Sequence, residues 1–269
     1  MALKLRLMAI MEWCGFMTIE ALTHFLDRIH FWDLRIWDFG LRSLGREYGW
    51  LFLFKIIFKY PRKSWRGLQA YRQFCQYIGT ISPNQIYTNC PESMLLNAAR
   101  ADCSALLVAM GYCQRPLRTE SQACACPSPR FSHQCFFVEN FHRSTQHPPA
   151  CSICEIKPIA EAAIHAGATF YIMTSARDIA RDIFIPTLAS QKFRYAILFL
   201  CPYSVLPIAL PLFICGIQFL IIPYAMGDCR NYQDFLRADV GIKPKRTFPA
   251  RHNFQRALNL LNAIHSCSK

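Results

Sequence analysis

The 269-residue sequence predicts an α/β fold, a small and mostly parallel sheet with flanking helices. A helical N-terminal region and a cysteine-rich loop region precede this sheet. Three apolar runs rich in β-branched and aromatic residues predict strands at 169–174, 194–200 and 217–225. Helical patterns lie between these runs, and strands that alternate with helices imply right-handed crossovers and parallel pairing. The strands are almost continuously apolar, which is typical of strands covered on both faces.

The helices of the C-terminal half are predicted from apolar residues that recur every three or four positions. They span 158–166, 176–185, 204–214 and 250–266. Pro186 should end or kink the second of these helices, because proline cannot donate a backbone hydrogen bond. Pro211 fits poorly inside the third helix for the same reason.

Composition divides the chain into a basic helical region at 1–78, a cysteine-rich irregular segment at 79–150, and an α/β domain with a C-terminal helix at 151–269. Within the middle segment one helix is predicted at 93–111, with Gly111 as its stop. The rest of that segment reads as an ordered loop that something other than regular secondary structure holds together. A metal would serve this purpose.

The charge of the chain is strongly positive, at +13 from 30 basic and 17 acidic residues. Between Glu47 and Glu92 there is no acidic residue, and the segment 50–72 mixes lysine and arginine with aromatic side chains. Such a segment can lie on an anionic membrane surface, and stacking on single-stranded nucleic acid is the weaker alternative. It can also be a helix whose aromatic side packs on the body of the protein.

The run 195–226 carries no charged residue and is long enough to cross a bilayer. Two interpretations are open: a soluble strand–helix–strand unit, or a membrane hairpin. The several prolines of the run argue against one straight helix. The hairpin, or a basic aromatic surface helix at 50–60, defines the alternative function of the chain as a membrane-associated protein.

The chain contains 14 cysteines. Its start is a poor secretory signal, because Glu12 interrupts a short apolar run and no small-x-small cleavage site follows. We therefore expect a cytoplasmic protein with reduced thiols, which could also be membrane-associated. Thiolates bind zinc and iron–sulfur clusters, and they also act as redox nucleophiles.

Four cysteines occupy positions where an α/β fold would bring them together. Cys151 and Cys154 precede a predicted helix, while Cys201 and Cys229 follow predicted strands. Ligands gather at the carboxyl ends of parallel strands, so these thiols are predicted to form a zinc site or to hold an iron–sulfur cluster. Further candidate metal ligands in the loop region are Cys124, Cys126 and Cys135. Redox thiols without metal and buried structural cysteines remain the alternatives.

Residues 151–247 resemble an uncharacterised cysteine-containing α/β family of bacteria and archaea, a domain of unknown function. The resemblance rests on Cys151-x-x-Cys154, on the run 192–197, on Cys201-Pro202, and on Gly227-Asp228-Cys229 in this order. It implies binding of a cluster or metal and names no reaction. No catalytic residue is assigned.

Other motifs add little to this interpretation. Glycine-rich nucleotide loops, the His-Glu-x-x-His zinc motif and the Gly-x-Ser-x-Gly elbow do not occur in the sequence. Three histidines near the loop cysteines could also serve as metal ligands: His133, His142 and His147. The basic run 243–246 is interpreted as a solvated turn, with anion binding as the alternative.

Overall fold

The computed structural model describes residues 51–118, 123–143, 147–229 and 232–265. The helical pattern predicted before residue 51 lies outside this part of the chain. Within it, the fold is α/β, with a mostly parallel sheet between two layers of helices. The predicted fold class is confirmed.

The described sheet has six strands in the order β1-β5-β4-β2-β3, and β6 also pairs with β5. Pairing is parallel among β2, β3, β4 and β5, and antiparallel where β1 and β6 meet β5. The strands are β1 Tyr87–Thr88, β2 Leu106–Gly111, β3 Thr169–Met173, β4 Tyr195–Leu200, β5 Gln218–Met226 and β6 Phe248–Pro249. The three predicted strands are β3, β4 and β5.

The strand β2 was not predicted, and the helix predicted at 93–111 is wrong in its second half. The helix ends at Ala101, and Leu106–Gly111 forms a fully buried strand between β4 and β3. Periodicity alone does not separate a short buried strand from a buried helix segment, so the pairing with two parallel neighbours decides the conformation. Strands from both sides of residue 151 therefore lie in one sheet.

The described helices are α1 Pro61–Ile78, α2 Glu92–Ala101, α3 Phe136–Glu139, α4 Pro149–Ser152, α5 Ile156–His165, α6 Ala176–Ile179, α7 Ile185–Ser190, α8 Val205–Cys215, α9 Tyr232–Asp239 and α10 Arg251–His265. A π-helical turn at Ala180–Phe184 joins α6 to α7, so the run continues through Pro186 to Ser190. The wider turn accommodates a residue that cannot donate a backbone hydrogen bond. Of the two outcomes predicted at Pro186, an end of the helix is wrong, whereas a local distortion is present as the π-helical turn directly before it.

Two helical layers cover the sheet, and β2 contributes to both. Val108 belongs to the apolar cluster formed with α2, α5 and α10, whereas its neighbour Ala109 belongs to the cluster formed with α1, α7 and α8. Side chains alternate between faces along a strand, so both faces of β2 are covered. This burial explains the continuous apolar character of the central strands.

The uncharged run 195–226 forms β4, α8 and β5. Pro211 lies inside α8, where it is buried. Nowhere in the described ranges is a helix both long enough and apolar enough to cross a membrane. The run therefore forms two paired parallel strands of the sheet and the buried helix that connects them.

The basic aromatic segment is helical and packs on the body through one side. The helix α1 buries Gly67, Tyr71 and Cys75, and Lys63 Nζ donates to the carbonyl of Leu188 at 3.0 Å. Phe54 and Phe58 before this helix are exposed. Contact with an anionic membrane surface or with nucleic acid stays a prediction.

The close approach of α1 to α8 can be tested at Gly67. A Cβ atom at this position would lie 2.5 Å from Ile214 Cα. Although alanine favours a helix over glycine by about 0.8–1 kcal/mol, we expect Gly67→Ala to lower the free energy of unfolding by about 1–3 kcal/mol. Denaturant titration measures this change. Gln69→Ala on the exposed side of α1 is the control, and a stabilised Gly67→Ala would contradict the packing.

Candidate thiol site

Three cysteines lie at the carboxyl end of the parallel sheet. Cys201 directly follows β4, Cys113 lies in the turn after β2, and Cys229 lies three residues after β5. The backbone N–H of Cys229 donates to Cys201 Sγ at 3.4 Å, and all three side chains are buried. We refer to Cys113, Cys201 and Cys229 as the sheet-end thiols.

A buried lysine contacts the sheet-end thiols. Lys243 is only 6 % exposed, and its Nζ lies 2.9 Å from Cys229 Sγ. The hydrogen bond from Cys201, together with the ammonium group of Lys243, lowers the pKa of Cys229 to about 7. The same hydrogen bond and burial raise the pKa of Cys201. Cys229 is therefore the more readily ionised thiol of the pair, and Cys201 is the one that holds its proton more tightly.

The turn after β2 is fixed to its neighbours by side-chain hydrogen bonds. Thr247 Oγ1 donates to Cys113 Sγ at 3.0 Å, and burial raises the pKa of Cys113. The hydroxyl of Tyr224 accepts from the N–H of Gly111 at 2.8 Å and donates to Gln114 Oε1 at 2.9 Å. These bonds hold Cys113 beside the ends of β4 and β5.

A second group of cysteines lines a narrow cavity beside the loop region. Three separate chain segments contribute its four thiols. These thiols belong to Cys126, Cys135, Cys151 and Cys154. The cavity has a volume of about 20 Å³, which is room for about one water-sized particle. We refer to it as the thiol cavity.

Cys126 affects the pKa values of two other loop cysteines, Cys124 and Cys154. A hydrogen bond from Cys126 lowers the pKa of Cys154 to about 7 and the pKa of Cys124 to about 6. The pKa of Cys126 is raised, first because it makes these same bonds with Cys124 and Cys154. Since Cys126 has a single proton, it can donate to only one of its two neighbours at a time.

Burial controls the other two thiols of the cavity. It is the main cause of the raised pKa of Cys135 and of the raised pKa of Cys151. Both side chains therefore hold their protons more tightly than a free cysteine does. Of the four cavity thiols, Cys154 has the lowered pKa and therefore ionises most readily.

Arginines, rather than regular secondary structure, hold the loop region. Arg115 is 2 % exposed, and its guanidinium donates to the carbonyls of Pro129, Ser132 and Gln134. This residue also lines the thiol cavity. The loop, for which a metal was one predicted means of support, thus has a protein anchor of its own.

Two further arginines connect the loop cysteines to the sheet end. Arg246 donates to the carbonyl of Gln114 at 3.0 Å and to that of Ile153 at 2.8 Å. Arg130 donates to the carbonyls of Lys243 and Lys245. The basic run 243–246 was interpreted as a solvated turn, which is wrong for Lys243 and Arg246, because both make contacts with the protein body.

The four cysteines predicted to share one site fall into two groups by their contacts. Cys229 donates its backbone N–H to Cys201 Sγ, whereas Cys154 lines the thiol cavity with Cys126. Cys151 lines the thiol cavity with Cys154. Among the residues described here, no group of three or more His, Cys, Asp or Glu side chains is arranged to hold a metal ion as it stands.

The predicted histidine ligands have different surroundings. His133 lies at the end of β3, where Nδ1 is 2.8 Å from the carbonyl of Ile172 and Nε2 is 3.0 Å from Thr174 Oγ1. The ring of His147 lies 4.9 Å from that of Phe137, which lines the thiol cavity. Nδ1 of His147 is buried without a hydrogen-bond partner.

Sequence reasoning missed three contributors to these sites. Cys113 follows a strand that was predicted as a helix, so its place at the sheet end was not recognised. The apolar run 106–110 was the feature of the sequence that could have revealed this strand. Lys243 and Arg115 gave no signal, since a lysine or arginine in a loop is exposed in most proteins.

Comparison of the chain with protein-family models, with curated proteins and with solved structures gave no match. The resemblance of residues 151–247 to a cysteine-containing α/β family therefore stays a prediction.

The anchoring role of Arg115 can be tested with a variant that keeps the charge. A lysine ammonium lacks the planar fork that reaches three carbonyls at once. We expect Arg115→Lys to lower the free energy of unfolding by about 1.5–3 kcal/mol, and to speed protease cleavage between residues 127 and 135. Arg118→Lys, at an exposed position of the same segment, is the control. Equal proteolysis of both variants would contradict the anchor.

Proposed function

We propose that the protein binds one metal ion, with zinc as the best fit, through the thiolates of Cys126, Cys135, Cys151 and Cys154. The main support for this proposal is the arrangement of the four cysteines around the thiol cavity. Four soft ligands from separate chain segments surround a space of about 20 Å³. Zinc in structural sites takes four such ligands in a tetrahedron. A space of this size supports a single ion better than a multi-iron cluster.

The charges around the cavity support the same ligand. Four thiolates and one Zn²⁺ carry two net negative charges, and burial of such a complex needs cations nearby. Arg115 and Lys157 both line the cavity, and none of the residues lining it is acidic. The cavity wall therefore compensates the charge of a bound zinc–thiolate complex.

Binding requires the thiols to change protonation and orientation. The pKa of Cys126 is raised by its neighbours Cys124 and Cys154, so metal binding must displace a tightly held proton from this thiol. A cysteine side chain turns about one bond between staggered positions, so the sulfurs can turn inward without a change of the backbone. A reducing, cytoplasmic location belongs to this proposal, because the thiols must stay free to bind.

Metal analysis of anaerobically purified, reduced protein tests the proposal. We expect one zinc per chain, and with Co²⁺ in place of zinc we expect visible absorption typical of tetrahedral thiolate coordination. Cys126→Ser and Cys154→Ser should each weaken zinc binding by at least about 100-fold, because each removes a ligand. A chelator competition measures this change.

Cys215→Ser is the matched control. This cysteine lies in α8 and donates to the carbonyl of Phe184, which a serine hydroxyl can also do. Metal-free folded protein that does not take up added Zn²⁺ would refute the proposal. Iron with inorganic sulfide in the purified protein would show that the argument from cavity size is wrong.

A further inference from the structure

We propose that Cys229 and Cys201 form a dithiol that hydrogen peroxide oxidises to a disulfide, with Cys229 as the attacking thiolate. The geometry that points to this is the contact of Lys243 Nζ with Cys229 Sγ at 2.9 Å, beside a second thiol on the next strand end. These residues take no part in the thiol cavity. The inference therefore does not depend on metal binding there.

The two sulfurs have different roles because the hydrogen bond from the buried lysine goes to Cys229. Lys243 donates to Cys229, and inside the protein this charge acts more strongly than in water. Cys201 Sγ accepts the backbone N–H of Cys229, so the two cysteines lie side by side, and of these two it is Cys229 whose pKa is lowered. Cys229 is thus poised to attack, and Cys201 is poised to resolve the product.

The burial of the pair selects a small oxidant. Cys229 is 2 % exposed and Cys201 is 8 % exposed. A bulky disulfide reagent would need a local opening of the structure to reach them. Hydrogen peroxide is close to water in size, so a peroxide is the oxidant class that fits this site.

The reaction proceeds in two balanced steps. The Cys229 thiolate attacks one peroxide oxygen and breaks the O–O bond. That oxygen becomes the sulfenic acid of Cys229, and the other takes a proton from the Lys243 ammonium and leaves as water. The Cys201 sulfur then attacks the Cys229 sulfur and displaces the hydroxyl group, which leaves as water with the Cys201 proton. Two electrons pass from the sulfurs to the peroxide, and Lys243 regains its proton from solvent.

Cys113 is the rival resolving thiol. It lies in the same group, but Thr247 Oγ1 donates to its sulfur, whereas Cys201 Sγ accepts the backbone N–H of Cys229. The geometry therefore favours Cys201 over Cys113 as the partner of Cys229. The identity of the bonded pair separates the two alternatives.

Peroxide treatment of reduced, chelator-treated full-length protein tests the proposal. Mass spectrometry of the intact chain should show the loss of two hydrogen atoms, and peptide mapping should join Cys201 to Cys229. In Cys201→Ser, the reaction should stop at a Cys229 sulfenic acid, which dimedone should trap when the protein is unfolded in its presence after the peroxide has been removed. Cys229→Ser should form neither product.

The role of Lys243 is tested by the rate of this oxidation. Lys243→Met keeps an apolar stem without the charge, and we expect oxidation of Cys229 to slow by about tenfold or more, since less of the thiol is ionised. Lys243→Arg should restore part of the rate, and Lys245→Met at an exposed position should leave it unchanged. Circular dichroism establishes that each variant is folded.

Three results would overturn the proposal. They are a disulfide that joins Cys229 to Cys113, peroxide products confined to the loop cysteines, and an unchanged rate in a folded Lys243→Met variant. If that variant does not fold, the two serine variants decide the question. Zinc binding in Cys201→Ser should match the unsubstituted protein, so failure of this inference and failure of the metal site are separate outcomes.

Discussion

Parallel pairing of β2 with β4 and β3 is the constraint on which the rest of the structure depends. It puts a fully buried strand at the centre of the sheet, and both helical layers pack on it. It also brings the ends of β2, β4 and β5 to one edge. The sheet-end thiols meet there because parallel strands present their carboxyl ends on the same side.

Guanidinium groups organise the loop region in a way that suits a chain poor in acidic residues. Arg115 and Arg246 donate to backbone carbonyls and thereby satisfy acceptors outside the helices and strands of the fold. Arg115 remains a buried cation next to four cysteines. The same residue that shapes the loop therefore also favours negative charge in the thiol cavity.

The two thiol groups differ in the chemistry that their surroundings favour. Lys243 gives a single sulfur, Cys229, a direct ionic partner, and this asymmetry suits attack by one thiol and resolution by the other. The thiol cavity instead offers four sulfurs around a small space, with cations at its wall. That arrangement suits a shared central ion.

The sequence by itself determined the α/β class, the strands β3, β4 and β5, and the candidate cysteines, because long apolar runs and their spacing are local properties of the chain. Tertiary structure alone decided that 106–111 is a strand, which cysteines become neighbours, and that Lys243 and Arg115 are buried. These outcomes depend on contacts between distant segments, such as Cys229 with Lys243 across a loop and Arg115 with the carbonyls of 129–134. Side-chain spacing along the chain does not encode which thiols share a proton, since that depends on distances of a few ångströms between strand ends.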